Sequence, residues 1–148
     1  MKELSQKINQ ENLSINGLPA RYQHLHLYYQ KRPDKVLQKF EGLSLGSVGV
    51  SSITLAELHH GIMKSSNPEK NQEALDKFLT PLEIVDFDYF ATLEYGKIRA
   101  ELEKKGTPIS PLDTLIAAHA KSLNLTLVTN NEKEFQRIQE LNIENWTK

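Results

Sequence analysis

Short apolar runs alternate with longer amphipathic stretches along most of this chain, and that alternation restricts the fold more than any other feature. Ser47-Val48-Gly49-Val50-Ser51, Glu83-Ile84-Val85-Asp86-Phe87 and Thr126-Leu127-Val128-Thr129 have the length and residue types of strands, and Ile143-Glu144-Asn145-Trp146 reads as a last one. Arg32-Pro33-Asp34 opens a helix carrying Val36, Leu37, Phe40 and Leu43 at helical spacing. Ser51 or Ser52 caps the next, whose apolar face is Ile53, Leu55, Leu58 and Ile62. Asn67-Pro68 starts another that ends near Pro81, with Ala74, Leu75, Phe78 and Leu79 expected inward. Asp88 is the N-cap of a long helix through Tyr89, Leu93, Ile98 and Leu102, closed by Lys104-Lys105-Gly106. Pro111 begins a helix with Leu112, Leu115, Ile116, Ala117, Ala118 and Ala120 that ends around Leu123-Asn124, and a short helix is expected over 132–138. Such strands separated by helices predict βαβ units, an α/β fold with a short parallel sheet flanked by helices on both faces.

Composition narrows the function classes. With 148 residues the chain suits one domain, and nothing in it approaches the ~18–20 apolar residues of a membrane span. The opening Met1-Lys2-Glu3-Leu4-Ser5-Gln6-Lys7 is not a secretory signal, and zero cysteines exclude disulfides, thiol catalysis and cysteine-held metals. Both fit a cytoplasmic protein. Eighteen basic against nineteen acidic side chains leave a formal net charge of −1, so nucleic acid would be met through a local patch rather than a global field. A hard cation among clustered acids is compatible with the same balance.

In parallel sheets covered by helices, sites form beyond the carboxyl ends of the strands. Three polar residues fall there. Glu57 lies in the helix after the 47–51 run, Asp113 in the first turn of the apolar helix after Pro111, and Asn131 just past Leu127-Val128-Thr129. Each has an ordinary explanation when taken alone: a solvated position for Glu57, a favourable helix dipole for Asp113, a turn for Asn130-Asn131. Together they suggest carboxylates converging on a dication such as Mg²⁺, or Mn²⁺, which prefer oxygen ligands. His59-His60 are adjacent rather than four apart and read as a solvated face, whereas His119 among alanines reads as a packed core histidine.

The segments Ser51-Ser52-Ile53-Thr54-Leu55-Ala56-Glu57-Leu58, Tyr95-Gly96-Lys97-Ile98-Arg99-Ala100, Gly106-Thr107-Pro108-Ile109, Leu112-Asp113-Thr114-Leu115-Ile116-Ala117-Ala118-His119-Ala120 and Leu127-Val128-Thr129-Asn130-Asn131-Glu132-Lys133-Glu134-Phe135 carry a resemblance. From Arg32 to Trp146 the chain resembles the PIN-domain ribonucleases of the VapC type, toxins of bacterial toxin–antitoxin pairs. Ser110 departs from the glycine of many relatives. The resemblance implies a Mg²⁺-dependent endoribonuclease with four acidic positions. Glu57 takes the second, Asp113 the third, and Asn131 the fourth, often Asp or Asn. It implies structured RNA as substrate, transfer RNA included, a cognate VapB-type antitoxin that blocks the cleft, and a homodimer. Lys97, Arg99, Lys104 and Lys105 are candidates for RNA contact, with a solvated helix face as the alternative. A second functional reading is a catalytically inactive remnant that binds antitoxin or dimerises.

One part of the pattern is lacking. The resemblance implies a first acid in an N-terminal strand reading roughly Leu-Asp-Thr-Asn, central in the sheet, yet no Asp or Glu occurs between Glu11 and Asp34. Residues 1–31 are therefore expected to be atypical and poorly ordered, with the PIN-like domain spanning 32–148 and its first strand missing or replaced. His24-Leu25-His26-Leu27-Tyr28-Tyr29 alternates and is a candidate substitute strand without a carboxylate. Read one base forward, codons for Ala20-Arg21-Tyr22-Gln23-His24 are compatible with Leu-Asp-Thr-Asn-Ile. This suggests a toxin frame beginning near Asn16 that meets the present one near Lys31.

Overall fold

The computed structural model describes residues 24–26, by their backbone, 48–80 and 82–146. In chain order these form β1 (His24–His26), β2 (Val48–Ser51), α1 (Ser52–Lys64), α2 (Pro68–Leu79), β3 (Glu83–Val85), α3 (Tyr89–Lys104), α4 (Pro111–Ser122), β4 (Thr126–Val128), α5 (Glu132–Phe135) and β5 (Ile143–Glu144). The helix expected from Arg32 and the order of the first 23 residues lie outside the described residues. So does the expected boundary after residue 31.

All strand pairs are parallel, in the order β3-β2-β1-β4-β5. β1 sits in the middle, with Leu25 opposite Gly49 on one side and Leu127 on the other. Of the alternatives "missing" and "replaced", the sheet therefore shows a strand in the central position. The chain runs outward from β1 through β2 to β3, then returns to the other side at β4. That reversal between β1 and β4 is where a parallel sheet opens a crevice at its carboxyl edge.

Helix boundaries follow local chemistry. Ser51 Oγ accepts from Ile53 N–H to cap α1, and Asp88 accepts from Ala91 N–H to cap α3. Ser110 accepts from Asp113 N–H, with Pro111 filling the first turn of α4, where a missing N–H costs nothing. α3 stops at Lys104, and Gly106 follows at φ 68°, the left-handed conformation that glycine adopts without steric cost.

The main core packs α3 and α4 against the sheet, with Ile98, Leu102, Ile116, Leu127 and Phe135 at its centre. Ala117, Ala118 and Ala120 are fully buried, and their small side chains let α4 approach its neighbours closely. A second cluster joins Ile62, Leu75 and Phe78 between α1 and α2, and a third joins Val48, Val128 and Trp146. One expected inward position is corrected: Ala74 is exposed. Tyr89, Leu93 and Leu112, read from sequence as apolar residues of α3 and α4, are exposed as well. The expected 132–138 helix is a single turn, 132–135, continued by turns.

Candidate metal-assisted nuclease site

A cavity of about 540 Å³ opens at the carboxyl edge of the sheet, and Glu57, Asp113 and Asn131 all line it. Each arrives by a different route. Glu57 is carried on the second turn of α1, directly after β2. Asp113 stands in the first turn of α4, its backbone N–H held by Ser110. Asn131 follows β4, in a turn set by its N–H donating to Thr129 Oγ1 at 3.0 Å. Three residues separated by up to 74 positions in sequence thus share one wall system because the sheet gathers their elements.

The electrostatics are those of crowded carboxylates. Glu57 has its pKa raised, first by desolvation and second by the negative charge of Asp113. Two carboxylates that repel in this way are stabilised together by a cation. Among the described residues no cluster of three or more His, Cys or Asp/Glu side chains could hold a metal. The available donors are therefore two carboxylates and the side-chain carbonyl of Asn131, a hard oxygen set. That set fits Mg²⁺, which is commonly held by one or two carboxylates and retains several waters. Thr54 Oγ1 provides a further sign of a polar ligand. Thr54 lines the cavity, is 4% exposed, and its hydroxyl has no hydrogen-bond partner among the described residues.

Thr54, Thr129, Asn130 and Gly61 also line the cavity and were not singled out from sequence. Thr54 and Gly61 had a readable signal, since they stand three before and four after Glu57 and so share its helix face. Ser65 and Asn71, also in the wall, had none. They meet across the turn between α1 and α2, where Asn71 Nδ2 donates to Ser65 Oγ at 2.9 Å.

Lys97, Arg99, Lys104 and Lys105 are not brought to this cavity. Lys97 pairs with Glu94 at 3.3 Å, and Arg99 pairs with Glu103 at 2.8 Å while donating to Tyr95. Lys104 and Lys105 are exposed at the end of α3. His59 and His60 are exposed as well. His119 is 1% exposed, and its Nδ1 lies 2.8 Å from Ser51 Oγ, which ties α4 to the β2–α1 junction. Burial lowers its pKa, against the opposing charges of Asp88 and Asp86 and a backbone interaction with Asp86.

The PIN domain family matches residues 25–141. The chain belongs to the PIN-domain family. It is 50% identical over 119 residues to Ribonuclease VapC2 of Rickettsia felis, covering 80% of this chain and 89% of that protein. It is 44% identical over 117 residues to the tRNA(fMet)-specific endonuclease VapC of Salmonella typhimurium, covering 79% and 88%. Among solved structures, VapBC2 from Rickettsia felis bound to a promoter DNA fragment superposes with a TM-score of 0.76 at 44% identity, over 83% of this chain and 98% of the matched one. DNA-bound VapBC from Salmonella typhimurium gives 0.78 at 37% identity, over 84% and 98%. This PIN domain is thus homologous to VapC ribonucleases, and its fold is theirs. Among the described residues no helix is long and apolar enough to cross a membrane.

Proposed function

We propose that this PIN domain is by descent a VapC-type endoribonuclease toxin that uses Mg²⁺, with Mn²⁺ as a substitute, to cleave structured RNA. The observation that supports this reading best is the meeting of Glu57, Asp113 and Asn131 in one cavity of a PIN fold. Glu57 and Asp113 would hold the cation, and Asn131 would orient a ligand or water. The chemistry such a dication would supply is activation of water and neutralisation of charge developing on the phosphodiester. Transfer RNA is the substrate class favoured by the name of the Salmonella relative. By analogy with the solved VapBC complexes a VapB-type antitoxin is the partner; that it covers the cleft, and that the toxin forms a homodimer, is what the family resemblance implies.

A second reading has its own support. The described central strand is His24-Leu25-His26 and carries no carboxylate. A remnant that binds antitoxin without cutting RNA would have this composition. An RNA cleavage assay over a titration of divalent cation separates the two. Metal-dependent cutting that Asp113→Asn abolishes supports the nuclease; antitoxin binding with no cutting at any cation concentration supports the remnant.

The N-terminal segment is read as a wrong-frame start that joins the toxin frame near Lys31. Support comes from the sequence itself: no Asp or Glu occurs between Glu11 and Asp34, and codons for Ala20–His24 are compatible with Leu-Asp-Thr-Asn-Ile in the next frame. The nucleotide sequence of codons 16–32 is the test, and codons at Ala20–Gln30 that cannot encode Leu-Asp-Thr-Asn-Ile in the next frame remove the idea.

A further inference from the structure

The cavity does not end at the acids. It continues along α1 from Glu57 across Gly61 and Ile62 to Ser65 and Asn71. Gly61 stands in the interior of a 13-residue helix, where glycine is about 1 kcal/mol less favourable than alanine. Nothing among the described residues requires it, since a Cβ at Gly61 would meet none of their atoms within 4 Å. Gly96 in α3 is equally open, so openness alone decides little, but Gly96 lines no part of this cavity. The distinguishing fact is that Gly61 lies one turn from Glu57, in the wall of the cavity that holds the acids.

We propose that Gly61 forms the low floor of a strand-binding groove that carries the nucleotides next to the scissile phosphate from Glu57 and Asp113 toward Ser65 and Asn71. The proposal rests on the ribonuclease reading and adds to it a path for the substrate. Glu57 and Ser65 are eight positions apart on one helix, a rise of about 12 Å. At ~3.4 Å per stacked nucleotide that distance accommodates about three.

Beyond the acids the described wall has no cation. Half-buried Leu58 offers apolar surface, with the largely buried Ile62 beneath, and Ser65 and Asn71 offer neutral hydrogen-bonding groups. Such a wall suits bases and ribose 2′-hydroxyls, the features by which proteins distinguish RNA, better than it suits phosphates. Ser65 Oγ donates to Ile62 O at 2.6 Å and accepts from Asn71, so the polar end of the groove is held in a fixed geometry. A side chain larger than hydrogen at position 61 would rise into the strand's path without disturbing the helix below.

The test is binding of a labelled initiator transfer RNA transcript, with calcium as the divalent ion, by the wild type, Gly61→Leu and Gly96→Leu in the full chain. Gly61→Leu is expected to weaken binding about tenfold, the value of one lost base contact, and Gly96→Leu to leave it unchanged. Both should unfold at or above the wild-type Tm, because leucine is the better helix former. Wild-type affinity in Gly61→Leu, or equal weakening in Gly96→Leu, overturns the groove while leaving the nuclease reading standing. Loss of antitoxin binding in Gly61→Leu with RNA affinity unchanged assigns the groove to a protein partner and also overturns it. A wild type that neither binds nor cuts RNA removes the nuclease reading and the groove with it.

Discussion

The central strand β1 and the acid-bearing edge of the sheet place very different demands on sequence. β1 takes its position through backbone hydrogen bonds to β2 and β4, which any non-proline residue can make. His24-Leu25-His26 satisfies that demand. The edge that holds Glu57, Asp113 and Asn131 depends on side-chain oxygens, which only a few residue types supply. This PIN sheet keeps a central strand whose described residues, His24-Leu25-His26, carry no carboxylate.

The largest expected effect comes from restoring the chemistry of the N-terminal segment. Recoding Ala20–Gln30 into the next frame, so that it reads Leu-Asp-Thr-Asn-Ile onward, should raise metal-dependent RNA cleavage by at least ~10–100-fold, the scale on which even outer partners of a metal matter. Equal turnover before and after recoding would show that the two regions do not differ in chemistry as described. Next in size is Glu57→Gln. It should weaken Mn²⁺ binding by ~10–100-fold in calorimetry. Because the folded pKa of Glu57 is raised, its carboxylate destabilises the metal-free protein increasingly as pH rises through that pKa. The same substitution should therefore give a small gain in metal-free Tm at neutral pH.

Asn131→Asp sharpens the comparison from the other side. A third carboxylate in the cavity should tighten Mn²⁺ binding and lower the metal-free Tm, both by less than the Glu57 change. The smallest effect is expected from His119, which belongs to the scaffold. Its folded pKa lies below its ordinary value of 6.5 because it is buried. The unfolded chain then binds the proton more readily, so the stability His119 contributes is complete above that range and lost as pH falls through 6.5 toward the folded pKa. Thermal unfolding from pH 8 to 5 should show this loss, and His119→Phe should flatten that part of the profile.

Much of the scaffold was legible because local signals fixed it. Ser51, Asp88 and Ser110 each cap a helix through a side-chain oxygen within three residues of its partner, and Gly106 marks a turn by its own conformation. Exposure of Tyr89 and Leu93 was not legible. Helical periodicity tells which residues share a face but not how much of that face a neighbouring element covers. The sharing of one cavity by Glu57, Asp113 and Asn131 was legible because they follow strands, where a parallel sheet opens. Ser65 and Asn71 depend on how α1 turns into α2, and Gly61 offers no functional group to notice. The central strand was visible as an alternating run at His24–Tyr29, while its place between β2 and β4 is a property of the assembled sheet.

Manganese binding followed by electron paramagnetic resonance, in the wild type and in Asp113→Asn, tests most directly whether distant oxygens are gathered here to share an ion. A bound-Mn²⁺ signal that the wild type shows at low cation concentration and Asp113→Asn loses is the predicted result. Indistinguishable binding by the two proteins would contradict it.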